Sequence, residues 1–393
     1  MLKYLYTSLV FVLILSGCGN KKTNKENDNM EKVEKETVRD ADSMYLLVGT
    51  YTQKDSKGIY VYQFDTISGF SKYKSMAEIT NPSYLVVSND EKYVYAVTES
   101  NEVTDAASAF SFDKKAGKLT FLNSQETKGA APCYITIDKA GKHVVTANYM
   151  GGSITVFDVN ANGALSQASL VHAFNGKGVD PDRQTQPHLH CVQFSPDGKY
   201  LFADDLGTDL IYRFDVNDSG EGNYLKVGKP ESFKVADGSG PRHLEFHPNG
   251  KYAYLITEME GTVIGFNYDN EKGLLTEFQT VLADTLNAQG SGDIHITPDG
   301  RFLYASNRLK GDGLAIFSID QQTGILTKIG YQETGIHPRN FVITPNGKFL
   351  LVASRDNNII QIFEIDRSTG LLSNTYKDIE LSMPVCLKFM SMR

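Results

Sequence analysis

From Met44 onward the chain alternates apolar and polar residues with a period of two, in short runs separated by turn residues. Tyr252-Ala-Tyr-Leu-Ile-Thr-Glu258 is typical, and such runs predict β-strands. Between them stand Pro196-Asp-Gly-Lys199, Pro248-Asn-Gly-Lys251, Pro298-Asp-Gly-Arg301 and Pro345-Asn-Gly-Lys348. These are hairpin turns, not phosphate loops. No helical heptad or membrane-spanning run competes with this pattern.

The pattern repeats. Equivalent first-strand positions fall at Ser83, Cys133, His190, Arg242, Gly292, Arg339 and Val385, a period of roughly 50 residues. The spacing from Cys133 to His190 is the longest, at 57. A third strand in each unit carries a phenylalanine, at Phe64, Phe112, Phe157, Phe214, Phe266, Phe317 and Phe363. A glycine turn, clearest at Gly117, Gly273, Gly324 and Gly370, then leads to a fourth strand. Repeated four-stranded units of this length predict an all-β fold, a β-propeller with four antiparallel strands per blade. Tyr45-Leu-Leu-Val-Gly-Thr-Tyr51 aligns with a second strand and Pro384-Val-Cys-Leu-Lys-Phe389 with a first. Six whole units and one composite make seven blades, closed by pairing the C-terminal strand into the first blade. The propeller domain is therefore expected over residues 44–393.

The N-terminus reads differently. Lys3 precedes an apolar stretch from Leu5 to Leu15, too short to span a bilayer, and Leu-Ser-Gly-Cys18 follows. That sequence resembles the bacterial lipobox, so 1–17 is expected to be a lipoprotein signal peptide and Cys18 the lipidated first mature residue. Residues 18–43 mix Lys, Glu, Asn and Asp with almost no large apolar side chain, the composition of a disordered tether. The expectation is an exported protein whose only membrane association is its lipid anchor, with the propeller outside the cytoplasm.

Composition narrows the function. With 39 Lys and Arg against 47 Asp and Glu, the chain carries a net charge of −8 and lacks the basic footprint of a nucleic-acid binder. Its four cysteines, Cys18, Cys133, Cys191 and Cys386, are too scattered for a disulfide framework or a zinc site. No cofactor or metal is implied, and oligomeric state leaves no trace in the sequence.

The repeats supply their own comparison. Down the first strand the apolar face (Val192 and Phe194, Leu244 and Phe246, Phe341 and Ile343) gives way at its start to Ser83, Cys133, His190, Arg242, Gly292, Arg339 and Val385. Down the second strand the corresponding end reads Tyr51, Glu99, Tyr149, Leu206, Glu258, Arg308 and Arg355. Antiparallel pairing puts both columns at one end of the propeller, around the axis. Four arginines and a histidine gathered in an acidic protein repel one another unless an anion or carboxylates compensate them, which points to an anion-recognising pocket. His188 and His190 share a face but lack further ligands for a metal. Asp205, ending a second strand, is placed to orient a nearby His or Arg. His243, His247 and His295 fall on interior or turn positions and read as structural.

Gln186-Pro-His-Leu-His190, Ala203-Asp-Asp-Leu-Gly-Thr-Asp209, Gly240-Pro-Arg-His243, Ser306-Asn-Arg308 and His337-Pro-Arg339 together resemble the lactonase family of seven-bladed propellers. That family includes propeller-type 6-phosphogluconolactonases and the fungal carboxy-muconate lactonising enzyme. The resemblance implies hydrolysis of an anionic sugar-acid lactone, with His190, Arg242, Glu258 and Arg308 as catalytic positions. From their place beside these, Arg339, Arg355, His188 and Asp205 are candidate substrate-binding residues. Two alternatives stay open: lactonisation or cycloisomerisation of an unsaturated acid, and a surface-anchored propeller that binds without turnover.

Overall fold

The inner strands of seven antiparallel sheets touch one another in a closed circle, each sheet radiating outward from it. The computed structural model describes residues 42–100 and 105–392. The segment expected to be a signal peptide, Cys18 and most of the expected tether lie outside the described residues. The propeller starts slightly earlier than expected: its first strand is Ser43–Thr50, and the Asp42 carbonyl accepts a hydrogen bond from the Thr66 amide.

The inner strands are Pro384–Ser391 in blade 1, Leu85–Val87 in blade 2, Pro132–Ile137 in blade 3 and Leu189–Phe194 in blade 4. Pro241–Phe246, Ile294–Ile296 and Pro338–Ile343 follow in blades 5 to 7. Blade 1 is the composite one. Its inner strand comes from the C-terminus and pairs with Ser43–Thr50 in a ladder from Met44↔Ser391 to Thr50↔Pro384. Blade 7 adds an irregularity, its outer edge being split into Leu372–Asn374 and Ile379–Glu380.

Burial follows from this radial order. Second strands are covered by neighbouring blades on both faces, so Tyr200–Asp205, Phe302–Asn307 and Phe349–Ser354 are buried throughout. Outer strands such as Leu165–Ala173 have one face in water and alternate. The seven recurring phenylalanines are all buried.

A second repeated contact joins each blade to the next. Aromatic residues at the start of the second strand press on the turn between third and fourth strands of the following blade. Tyr252 and Tyr254 donate to the Gln322 and Gly324 carbonyls at 2.6 Å each, Tyr200 to Glu271 at 2.9 Å, Tyr304 to Gly370 at 2.8 Å and Tyr45 to Lys114 at 2.6 Å. Gly324 has φ +75° and a Cβ there would sit 2.8 Å from the Tyr252 ring, so the turn needs glycine for backbone and for space. Between blades 3 and 4, His143 stacks on Tyr224 instead, with ring centroids 3.6 Å apart. These latches lie at the end of the blades opposite the two charged columns.

The closing ladder gives the first prediction. Deleting residues 384–393 leaves Ser43–Thr50 as an open edge and is expected to lower the melting temperature by roughly 10 °C or more, or to abolish soluble expression. An unchanged thermal melt would contradict closure by this strand.

Candidate active site

The inner strands are not regular where the charged column begins. Leu189 pairs with Asp205 and Cys191 with Asp204, leaving His190 between them without a partner. Val385, Cys133, Arg242 and Arg339 are skipped in the same way in blades 1, 3, 5 and 7. Each is the extra residue of a β-bulge, a device that re-aims a side chain. Strict alternation would put Arg242 and His243 on opposite faces. The bulge lets their side chains meet, with Arg242 Nη1 3.1 Å from His243 Nε2.

Three blade residues and one loop residue converge on Glu258. Arg242 Nε donates to its Oε2 at 2.8 Å, and Arg308 Nη2 lies 3.3 Å from the same oxygen. Arg183 Nη2 donates to Oε1 at 2.7 Å. His190 Nε2 stands 3.9 Å from Oε2. Backbone carbonyls hold the two inner guanidiniums in place: Arg242 Nη1 donates to Gly292 at 2.5 Å, Arg308 Nε to Gly290 at 2.6 Å and Arg308 Nη2 to Ser291 at 3.0 Å. Beneath Arg242, His243 Nδ1 bonds Asp293 at 2.7 Å, and Asp293 also receives His295 Nε2 at 3.1 Å. His243, expected to be structural, thus touches the site from below.

The electrostatics follow from burial among cations. Burial by itself would raise the Glu258 carboxyl, but the guanidiniums of Arg308, Arg242 and Arg183 override it and lower the value from 4.5 to about 2. His190 is pushed well below its ordinary range by burial, then by Arg242, His243 and Arg339, and is neutral at pH 7. Burial and Arg308 take His337, 3.2 Å from Arg308 Nη1, down to about 3. Arg308 itself falls to about 9, because burial and the repulsion of Arg242 and Arg339 exceed the pull of Glu258.

Beside this centre, Arg339 lies 3.7 Å from Glu99 and over the Tyr51 ring, and the Tyr51 hydroxyl donates to Glu99 at 2.9 Å. A cavity of about 640 Å³ opens there, lined by Tyr51, Gln53, Asn81, Glu99, Arg355 and others. Arg355 is at its edge, but its guanidinium forks onto Asp356 at 2.6 and 3.0 Å, so its charge is already compensated. Asp205 belongs neither to this lining nor to the cluster on Glu258. It is fully buried, with Oδ1 accepting the amides of His188 and Gly207 and Oδ2 the Thr208 hydroxyl. It shapes the turn that carries His188. His188 is likewise buried, stacked on Tyr149 and bonded through Nδ1 to its carbonyl at 3.0 Å, while the Tyr149 ring packs edge-on against His190. Both residues support His190 instead of lining the pocket.

Sequence reasoning missed Arg183. It sits in the connection between blades 3 and 4, the insertion that makes the 57-residue spacing the longest, and no other unit has a copy of that loop for comparison.

The depressed Glu258 carboxyl implies a pH signature. A lowered folded value contributes stability that is complete above about pH 5 and is lost as pH falls toward 2, roughly 3 kcal/mol in all. Urea titrations of wild type and Glu258→Gln are expected to differ more at pH 6 than at pH 3. A difference independent of pH would mean that the carboxylate is not held by its guanidiniums.

Comparison with known proteins agrees with the geometry. Residues 45–389 match the family described as "Lactonase, 7-bladed beta-propeller". A 6-phosphogluconolactonase of Formosa agariphila is 40% identical over 339 residues, covering 85% of this chain and 96% of the relative. That of Bacillus subtilis is 37% identical over 349 residues, covering 87% and 97%. Among solved structures, a Bacteroides fragilis protein provisionally assigned as a 6-phosphogluconolactonase is 59% identical with a TM-score of 0.87, covering 89% of this chain and 98% of its own. The Pseudomonas aeruginosa periplasmic gluconolactonase is 32% identical with a TM-score of 0.84, covering 89% and 100%. By fold, by its match over nearly the whole propeller and by these relatives, the chain belongs to the seven-bladed β-propeller lactonase family.

Proposed function

We propose that the protein hydrolyses the lactone of a sugar acid, as a 6-phosphogluconolactonase-like carboxylic-ester hydrolase. The observation that carries this reading is the buried Glu258 held by three guanidiniums with a neutral His190 at 3.9 Å. Opening a lactone needs a water aimed at the ring carbonyl, cations for the oxygen that gains charge, and a proton for the departing ring oxygen. Arg242 and Arg308 keep the positive field fixed in a site closed to bulk water, so little reorganisation is needed when charge develops. Glu258 and His190 are the proton-handling pair. In the resting protein Glu258 is a weak base, because its guanidiniums stabilise the anion. Negative charge developing on the lactone oxygen near Arg242 and Arg339 would relieve part of the repulsion that keeps His190 from accepting a proton. None of these parts requires a metal or cofactor.

The sequence through Cys18 supports a lipid-anchored, exported protein, and the periplasmic setting of the Pseudomonas aeruginosa relative is consistent with it. In that location a phosphorylated lactone of cytosolic metabolism would not ordinarily be met. The proposed physiological substrate is therefore an unphosphorylated aldonolactone.

The test is hydrolysis of gluconolactone and its 6-phosphate by chelator-treated protein. Turnover is expected without added metal. His190→Gln is expected to lower kcat by roughly 10²-fold with the fold intact. Arg308→Lys is expected to lose activity too, since a point charge cannot bond Gly290 and Ser291 and face Glu258 together. Loss of activity that merely tracks loss of folding in both variants would overturn the assignment.

A further inference from the structure

Two of the three guanidiniums on Glu258 are interior. The side chains of Arg242 and Arg308 are 1% and 6% exposed, and both are tied to backbone carbonyls between blades 5 and 6. Arg183 differs. Its side chain is 39% exposed, and it bonds Oε1, the oxygen that neither of the others engages. Its backbone is nevertheless fixed. Asp180 Oδ1 accepts the amides of Asp182 and Arg183 at 2.9 and 2.8 Å. The adjacent Gln184 is fully buried, donating to Leu206 O and Asp209 Oδ1 and accepting the amides of Val179 and Asp180. A pinned backbone thus carries a long side chain whose charged end lies at the boundary with water, where it can change partner without any movement of the loop.

We propose that Arg183 is the substrate-facing guanidinium of the site, exchanging Glu258 Oε1 for the lactone carbonyl oxygen and so freeing Oε1 to act as the base. This rests on the lactone-hydrolase reading above. The water oxygen bonds to the carbonyl carbon as one of its protons passes to Oε1, and the carbonyl π pair moves onto the oxygen that Arg183 now faces. When the tetrahedral species collapses, the ring C–O bond breaks and the Glu258 proton goes to the departing ring oxygen. The new carboxyl loses its remaining proton to solvent and leaves as a carboxylate, whereupon Glu258 recaptures Arg183. The groups around Glu258 are Arg183, Arg242, Arg308, His190, the more distant Arg339, and Cys133 and Tyr149, whose thiol and hydroxyl burial keeps neutral. With Arg183 withdrawn, one of the guanidiniums that oppose protonation is lost, and the carboxylate becomes a stronger base when substrate is present.

The experiment compares wild type, Arg183→Gln and Arg183→Lys by calorimetric titration with gluconate and by the pH dependence of kcat/KM for gluconolactone. Arg183→Gln is expected to bind gluconate about tenfold more weakly or worse, with Lys intermediate, because the fork is lost in one and the charge kept in the other. Its kcat/KM is expected to fall roughly 10- to 100-fold, with the acid limb moved upward by about one pH unit. A residue serving only as a counter-ion to Glu258 would leave gluconate affinity unchanged. Equal affinities, no binding of gluconate by wild type, or an unmoved acid limb would overturn the proposal. Glu258→Gln separates the two readings: if it keeps wild-type turnover, the hydrolase assignment of this site falls. If it is inactive while Arg183→Gln is fully active, only the role of Arg183 falls.

Discussion

One buried carboxylate makes the rest of the site tenable. Without Glu258, Arg242 and Arg308 would face each other in a region closed to water, and the repulsion of two buried cations costs far more than their bonds to carbonyls return. With it, blades 4, 5 and 6 and the connection between blades 3 and 4 all contribute to a single cluster. Because the carboxylate is shared among three cations, a net positive charge remains, and that surplus is available to the negative charge that forms on a lactone as it opens, within an otherwise acidic protein.

The repeat explains why much of this was legible in the sequence. His190, Arg242, Glu258 and Arg308 occupy positions that other units fill differently, so each unit served as a control for the rest. The seven blades, the buried phenylalanines and the closing strand were legible for the same reason. Where repetition ended, so did the reading. Arg183 lies on a loop without counterparts, and only the stretched spacing marked the insertion. Asp205, His188 and Arg355 were chosen by side-chain type and neighbourhood, but their roles depend on partners that strand periodicity does not reveal: a turn of amides, the Tyr149 ring and Asp356.

The bulges show how a regular fold acquires an irregular site. A two-residue period can offer every second side chain to the axis, which spaces functional groups too widely for a compact cluster. One skipped residue in each of five inner strands brings neighbours such as Arg242 and His243 into contact while the pairing on either side is kept. All five skips occur at the strand start, where the ladder is about to end and the disturbance interrupts few hydrogen bonds.

The aromatic latches at the opposite end have a consequence for how the molecule comes apart. Tyr45, Tyr200, Tyr252 and Tyr304 each bond a carbonyl in the following blade, and the C-terminal strand joins the last blade to the first. In an open array of repeats a terminal unit can fray alone, because it has one neighbour. Here every blade has two, so melting any one strips partners from both sides of it. The ring therefore resists local opening until it gives way as a whole, so that the lifetime of the folded state is set by one large barrier instead of by the weakest blade.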